Sequence, residues 1–318
     1  WQTSADAGWI FVTSAPQSGN GTASFTVQPN TGSTGRSATI TIGAHTVTIN
    51  QAGAGGARFD FDGDRRADIS VFRQGNWYLL QSSSGFSAAQ FGLSTDRITP
   101  ADYDGDRKTD ISVFRGGDWY ILQSSNNQFR AVQFGQTGDK PVAADYNGDG
   151  RSELAVYRNG DWYTLDLTNN QNTSIQFGNA SDKPVVADYD GDGRADPAVY
   201  RDGVWYLLRS SAGFTSVQFG IASDKPVAAD YDGDGRADQA VYRGGNWYIN
   251  RSADGQFSAA QFGLPDDIPV PADYDGDGKT DVAVYRGGNW YILGTQSGFS
   301  ATQFGLANDV PIPAAFLY

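Results

Sequence analysis

The chain has 318 residues, which is enough for one large all-β domain or for two or three smaller ones. Aromatic residues make up 13% and charged residues only 19%, Gly occurs 40 times, and no segment has the period of a long amphipathic helix, so short strands joined by tight turns are expected. The net charge of -13 excludes nucleic acid and anionic membranes as main partners, and the absence of Cys excludes disulfides; no apolar stretch suggests membrane insertion.

The first 50 residues are poor in charge and rich in Ser, Thr and Gly. Residues 23–27, 38–42 and 46–50 alternate in polarity, which predicts strands of a small immunoglobulin-like β-sandwich, and the Gly-rich residues 51–57 predict a flexible linker. About 50 residues are few for a sandwich, and the chain starts at Trp1 without an initiator Met or a signal peptide. We therefore expect a processed or partial chain whose first strands are missing.

Residues 58–318 contain six copies of one unit, each built around an acidic loop. The first Asp of each loop recurs every 42 or 43 residues, and we number the loops 1 to 6 by Asp60, Asp102, Asp145, Asp188, Asp230 and Asp273. In the fifth copy, residues 226–231, 239–243, 247–250 and 257–262 indicate four strands between turn signals. Four strands per unit, repeated six times, predict the blades of a β-propeller.

The last residues of the chain bear on ring closure. Residues 310–316 copy residues 268–274 but stop before any acidic loop. Such an extra strand lets a ring pair its last edge with its first, which a linear array does not need. Six blades are predicted, and a seventh blade completed by another segment stays open.

Each loop has the pattern Asp-x-Asp-Gly-Asp-x-x-x-Asp, with side-chain oxygens at positions 1, 3, 5 and 9 and a backbone carbonyl at position 7. An oxygen-only donor set in this spacing is typical of calcium, and we expect about six ions, one per loop. Position 12 is Val in every copy and strands flank the loop, so it is no EF-hand. The candidate ligands, with position 7 included for its carbonyl, are Asp60, Asp62, Asp64, Arg66, Asp68; Asp102, Asp104, Asp106, Lys108, Asp110; Asp145, Asn147, Asp149, Arg151, Glu153; Asp188, Asp190, Asp192, Arg194, Asp196; Asp230, Asp232, Asp234, Arg236, Asp238; and Asp273, Asp275, Asp277, Lys279, Asp281.

Charge supports calcium over ordinary Asp-Gly turns. The loops hold 23 of the 36 acidic side chains, which repel one another without a cation, and six Ca²⁺ ions would change the net charge from -13 to -1. Position 6 is Arg65 and Arg107 in loops 1 and 2 but Gly elsewhere, and loop 3 carries Asn147 and Glu153. We expect weaker calcium binding in loops 1 and 2.

Other repeated residues are assigned to the core. Trp-Tyr pairs begin at residues 77, 119, 162, 205, 247 and 290. We expect these aromatic side chains to pack in the core more than to stack on sugars. The Arg residues at 73, 115, 158, 201, 243 and 286 are expected to pair with a carboxylate or a carbonyl. No catalytic residue is predicted: His45 is the single His, and no Ser-His-Asp set is in sight.

The loop, together with strands such as Ala240-Val-Tyr-Arg243 and the closing Ala260-Gln-Phe-Gly263, resembles FG-GAP or VCBS-type repeats, relatives of the integrin α-subunit propeller. Segments such as Ala7-Gly-Trp-Ile10 and Thr48-Ile-Asn-Gln51 resemble a partial BACON-type domain. The resemblance implies calcium loops and a secreted or cell-surface bacterial protein. The expected function is binding or adhesion to a glycan or surface protein. A structural or filament-forming subunit that self-assembles, and the non-catalytic part of a larger carbohydrate-active enzyme, are the alternatives.

Overall fold

A computed structural model describes residues 1–14, 16, 18–27, 36–51 and 58–318. The contacts divide the chain into two units, Trp1–Gly55 and Gly56–Tyr318. Of the predicted linker at 51–57, Gln51 ends a strand, and the other six residues lie outside the described part. Among the described residues, no helix has the length and apolarity that crossing a membrane requires.

The N-terminal unit contains five strands in its described residues. Strands β1, β4 and β5 form one antiparallel sheet, and β2 and β3 form a second. Ile10, Ala38 and Ile40 are buried between them. The bounds are β1 (Thr3–Ala5), β2 (Ile10–Val12), β3 (Phe25–Val27), β4 (Arg36–Ile42) and β5 (His45–Gln51).

Residues 58–318, all of them described, form six antiparallel sheets of four strands each. We call these sheets blades 1 to 6, after the acidic loop that each contains. In chain order the strands are β6 (Ile69–Arg73), β7 (Asn76–Gln81), β8 (Gly85–Gln90), β9 (Arg97–Ile98), β10 (Ile111–Arg115), β11 (Asp118–Leu122), β12 (Phe129–Gln133), β13 (Lys140–Pro141), β14 (Leu154–Arg158), β15 (Asp161–Leu165), β16 (Asn172–Gln176), β17 (Lys183–Pro184), β18 (Ala198–Arg201), β19 (Val204–Arg209), β20 (Gly213–Gln218), β21 (Lys225–Pro226), β22 (Gln239–Arg243), β23 (Asn246–Asn250), β24 (Phe257–Gln261), β25 (Ile268–Pro269), β26 (Val282–Arg286), β27 (Asn289–Gly294), β28 (Gly298–Gln303) and β29 (Val310–Pro311).

The last strand of the chain completes the first blade. Val310 pairs with Phe72 and Pro311 with Val71, so the strand order of blade 1 is β29-β6-β7-β8. The all-β propeller fold predicted from the repeats is confirmed, with six blades and no seventh in residues 58–318. A short 3-10 helix, Ile312–Ala314, follows β29, and residues 314–318 pack against the cores of five blades.

The innermost strand of each blade is shorter than predicted. In blade 5 it covers Lys225–Pro226, and not residues 226–231. The segment still follows its neighbour, because the Val227 N–H donates to the Ala240 carbonyl at 2.8 Å and Ala229 forms an isolated bridge with Asp238. The regular ladder is thus broken just before the acidic loop begins.

The Trp residues of the third strands form the centre of each blade, as the sequence predicts. Their exposed fraction is 0–1%, and each indole N–H donates to a Phe carbonyl of the same blade at 2.7–2.8 Å. The following Tyr residues are half-buried instead, with an Arg of the second strand 4.7–4.9 Å from each ring centroid.

The same six Arg residues each form a bidentate ion pair with an Asp, which confirms their predicted pairing. The Nε and Nη2 atoms lie 2.5–2.7 Å from the two carboxylate oxygens. The Asp side chains are 0–2% exposed. The pairs are Arg73–Asp309, Arg115–Asp96, Arg158–Asp139, Arg201–Asp182, Arg243–Asp224 and Arg286–Asp267.

Candidate metal centres

The first carboxylate of each acidic loop holds the loop backbone in a turn. In loop 5, Asp230 Oδ1 accepts the Gly233 N–H at 2.6 Å, and Oδ2 accepts the Gly235 N–H at 2.8 Å. The other five loops repeat both contacts. Gly at position 4 is required by the backbone, since Gly233 has φ of 81°.

The last carboxylate of each loop is buried, and in every loop except the third it accepts an N–H of the hairpin turn in the same blade. In loop 3, both Glu153 oxygens accept from Tyr146 and Asn147 of the loop itself. In loop 5, Asp238 Oδ2 accepts the Tyr231 N–H at 2.9 Å, and Oδ1 accepts the Ser252 N–H at 2.6 Å. Ser252 lies in the turn between the third and fourth strands, so position 9 connects two loops of one blade. Asp238 is fully buried.

The folded loops bring their carboxylates together. In at least five of the loops, one oxygen from each of three acidic side chains lies within 4.8 Å of the others. Such a group could hold a metal ion, and its oxygen-only donors fit a hard cation such as calcium. The groups are Asp60, Asp62 and Asp68; Asp102, Asp104 and Asp110; Asp145, Asp149 and Glu153; Asp188, Asp190 and Asp196; and Asp230, Asp232 and Asp234.

Three buried oxygens in these loops accept no hydrogen bond. They are Asp190 Oδ1, Asp234 Oδ2 and Asp275 Oδ1, at positions 3 and 5, and they are the only such side-chain atoms among the described residues. The Arg236 Nε lies 3.3 Å from Asp234 Oδ2, whereas no cation among the described side chains contacts the other two oxygens. A buried carboxylate oxygen without a donor is costly, so these atoms fit a site for a bound cation.

Burial raises the pKa of the position 9 carboxyls. Desolvation is the main cause, backbone hydrogen bonds oppose it, and neighbouring carboxylates add to it; the pKa of Asp68, of Asp110 and of Glu153 rises to about 7. At position 3 burial also acts upward, but hydrogen bonds from the hairpin turn outweigh it and lower the pKa of Asp62 and of Asp190. A cation would therefore compete with protons at position 9, and also at position 1, where burial raises the pKa of Asp102 and of Asp230 to about 6.

Position 7 was predicted for its carbonyl, and no contact tests that role. Its N–H donates to position 5 Oδ1 at 2.9 Å in all six loops. Its side chain lies against the position 4 Gly of the preceding loop, so that a Cβ added to Gly148 would meet Arg194 Cγ at 3.1 Å. Arg66, Lys108, Arg151, Arg194, Arg236 and Lys279 all pack in this way.

The six loops are also joined by backbone hydrogen bonds that the sequence did not reveal. The position 8 N–H of each loop donates to the position 1 carbonyl of the loop before it, at 2.6–2.7 Å. The bond from Ala67 to Asp273 joins loop 1 to loop 6, which closes the ring. The other donors and acceptors are Thr109 and Asp60, Ser152 and Asp102, Ala195 and Asp145, Ala237 and Asp188, and Thr280 and Asp230.

Hydroxyl groups of the hairpin turns provide further contacts that were not predicted. Ser82 Oγ donates to Asp64 Oδ2 at 2.6 Å, and Ser83 Oγ donates to Asp62 Oδ2 at 2.7 Å. A Ser or Thr six residues after the start of the third strand is the sequence signal, present in every blade except the third. Blade 3 has Leu167 there, and its loop uses Asp166 instead, whose Oδ2 accepts Asn147 Nδ2 at 3.2 Å.

Comparisons with known proteins agree with this architecture. Residues 102–156 and 230–284 match the family model described as FG-GAP-like repeat. Two stretches of the propeller therefore resemble FG-GAP-like repeats. Residues 1–52 match the BACON model, described as a putative binding domain, N-terminal. Both resemblances drawn from the sequence are thereby confirmed, and no curated protein matches the chain.

Solved structures with little sequence identity share the propeller fold. Streptogramin B lyase matches with a TM-score of 0.52 and 8% identity over 79% of this chain and 84% of that one. A lectin of Agrocybe aegerita, described as recognising non-reducing terminal N-acetylglucosamine, matches with a TM-score of 0.51 and 15% identity over 88% and 89%. PorZ, a surface component of the type-IX secretion system of Porphyromonas gingivalis, matches with a TM-score of 0.48 and 9% identity; the match covers 75% of this chain and 32% of PorZ.

Proposed function

We propose that the chain is a secreted or cell-surface binding module, and not an enzyme, whose FG-GAP-like propeller is stabilised by about six calcium ions. The observation that carries the calcium proposal is the convergence of carboxylates in the loops, together with the buried oxygens that lack a donor. The candidate ligands are the side chains at positions 1, 3, 5 and 9 and the carbonyl at position 7. Calcium would neutralise their charge and hold each loop against its hairpin turn.

Thermal unfolding with and without a chelator tests the calcium proposal. Binding only to the folded state stabilises by about 0.4 kcal/mol per site when calcium equals Kd, and by about 1.4 kcal/mol at ten times Kd. Six sites together would therefore raise Tm by at least about 5 °C. The chelator should lower Tm by that amount, and excess calcium should restore it, whereas magnesium should restore little because it prefers rigid octahedral sites. An unchanged melting curve would contradict the proposal.

The outer strands of the propeller offer the surface on which we place binding. Five Phe residues there are 60–64% exposed, which is unusual for so large an apolar side chain. Each contacts a Phe of the neighbouring blade edge-to-face at 6.1–6.3 Å, so the pairs form aromatic ledges between blades. They are Phe86, Phe129, Phe214, Phe257 and Phe299.

A glycan is the ligand that we favour for these ledges, since sugar rings stack on aromatic faces. A glycan array that includes N-acetylglucosamine-terminated chains, probed in excess calcium, tests this choice. Binding should fall several-fold in Phe214→Ser with Phe257→Ser, and it should persist in Asn172→Ser, because Asn172 occupies the same register position in blade 3. Binding that survives the double Phe substitution would rule the ledges out. Binding to surface proteins but to no glycan would select the other ligand class.

A further inference from the structure

The centre of the propeller contains a cavity of about 160 Å³. Its wall consists mainly of apolar residues from the innermost strands of blades 3 to 6 and the segments that directly follow them, among them Val142, Val185 and Val227, and of residues 316–318. An apolar cavity of about 150 Å³ is large enough to hold a benzene ring. The cavity therefore has room for a compact apolar group of about that size.

One cation lines this apolar cavity. The Arg58 guanidinium carbon lies 5.5 Å from the ring centroid of Phe59 and 5.6 Å from that of Phe316. Within the described part of the chain, Arg58 forms no ion pair and no hydrogen bond, in contrast to the six Arg residues that pair with Asp in the blades. Arg58 is exposed as a whole residue, but protein atoms surround its guanidinium, and this desolvation lowers its pKa; its five N–H groups are free to bind an anion.

The polar groups around Arg58 are already used. Asp273 lines the cavity, but its two oxygens accept the N–H groups of Gly276 and Gly278 at 2.6 and 2.9 Å. The hydroxyls of Tyr146 and Tyr189 donate to the carbonyls of Val142 and Val185, both at 2.6 Å. Burial raises the pKa of both phenols well above the usual value, and the nearby Arg58 charge opposes the rise. These Tyr residues therefore stay neutral and leave the guanidinium charge uncompensated.

We propose that the central cavity binds a small organic monocarboxylate, with its carboxylate on the Arg58 guanidinium and a compact apolar body, such as one aromatic ring, among the Val and Pro side chains. Guanidinium and carboxylate match as a bidentate pair. Arg58 is the one cation among the lining residues, so the dianion of a phosphate monoester would bring a second charge into the apolar cavity without a partner. This inference does not depend on the calcium sites or on the aromatic ledges.

Calorimetric titration of the full chain with three probes tests the proposal: benzoate, benzyl alcohol and phenyl phosphate, all in excess calcium. Benzoate should bind at least about tenfold more tightly than benzyl alcohol, because a charge-assisted hydrogen bond is lost in the alcohol. Phenyl phosphate should bind more weakly than benzoate. Tighter binding of phenyl phosphate would overturn the assignment to a carboxylate.

Two variants locate the site. Arg58→Gln should reduce benzoate binding to the level of benzyl alcohol, and Ala228→Leu, which fills the cavity wall, should abolish binding of both. Arg209→Gln is the matched control, since Arg209 lies on β19 and does not line the cavity; it should leave benzoate binding unchanged. Melting curves check that each variant folds. Absence of benzoate binding to the unsubstituted chain, or binding that is equal in Arg58→Gln, would overturn the proposal.

Discussion

At position 6 of the acidic loops, two copies have a non-Gly residue in a backbone conformation that favours Gly. Arg65 and Arg107 have φ of 73° and 70°, where the other four loops have Gly with φ of 85–86°. The left-handed conformation costs a non-Gly residue about 1–2 kcal/mol. Replacing that residue by Gly removes the cost, but Gly also gives the unfolded chain more conformational freedom, which offsets part of the gain in stability. The sequence alone indicated this cost, and the structure supplies the angle.

Replacing these Arg residues by Gly should therefore stabilise the fold. Arg65→Gly and Arg107→Gly are each expected to raise the free energy of unfolding by about 0.5–1 kcal/mol in denaturant titrations. Arg66→Gly serves as the control, because Arg66 packs against Gly276 and has no positive φ, so its loss should bring no gain. Destabilisation by both position 6 substitutions would show that the side chains matter more than the backbone angle.

The carboxyls at position 9 predict how pH acts on stability and on calcium. Burial raises the pKa of Asp110 from 3.8 to about 7, so between these pH values the folded chain holds a proton that the unfolded chain has released. The metal-free protein should consequently lose stability as pH rises from about 4 to 7. Calcium must displace that proton, so its apparent affinity should rise over the upper part of the same range. Asp110→Asn should reduce both pH dependences, that of the metal-free stability and that of the apparent calcium affinity. If neither pH dependence changed, Asp110 would be excluded as their source.

Within one blade, the bidentate Arg–Asp pair joins the second strand to the segment that enters the blade. Arg201→Ala would leave the fully buried Asp182 without its charge partner. We expect a loss of about 3 kcal/mol, the low end for a buried pair because Arg201 is 30% exposed. Arg201→Lys should recover only part, since an ammonium cannot form the two parallel bonds. Arg209→Ala is the control, since Arg209 donates only to carbonyls of its own hairpin turn and forms no ion pair with a described residue; an equal loss there would argue against the pair.

The pairs show how far the sequence can predict an element. The Arg side was recognised from its recurrence in all six copies, but the Asp partner was not identified. It lies five residues after the Phe of each Phe-Gly dipeptide, as in Phe177 and Asp182, and this spacing holds in all six copies. The pattern was visible, yet only the folded blade brings the two residues together across 19 positions of the chain.

At the scale of the whole propeller, ring closure depends on residues at opposite ends of its sequence. Ile312 is 0% exposed in the core cluster that contains Phe72 and Trp77 of blade 1. Ile312→Ala should cost about 2–5 kcal/mol in the free energy of unfolding, as large-to-small changes in cores do. Ile221→Ala, at a site 48% exposed, should change stability by less than about 0.5 kcal/mol. If both substitutions changed the free energy of unfolding by equally small amounts, the C-terminal segment would not close the ring in solution.

The copy of the first strand in residues 310–316 was enough to predict this closure, because an extra strand without its loop can pair the last edge of the ring with the first. The ring of hydrogen bonds between the acidic loops could not be predicted in the same way. Each bond joins backbone groups of neighbouring blades, such as the Ala195 N–H and the Asp145 carbonyl. Because backbone groups are the same in almost every residue, such a bond does not select particular residues and cannot be read from the sequence. The hydroxyls of the hairpin turns were missed because Ser is common in any turn.

The central claim is that the six loops hold calcium, and anomalous scattering from crystals grown with calcium tests it site by site. Saturating calcium should give a peak within each loop, between the carboxylates of positions 1, 3, 5 and 9. Limiting calcium should give weaker peaks in loops 1 and 2, where Arg65 and Arg107 place positive charge beside the site. Equal peaks in all loops under limiting calcium would contradict the predicted ranking, and the absence of peaks at saturation would contradict the calcium account itself.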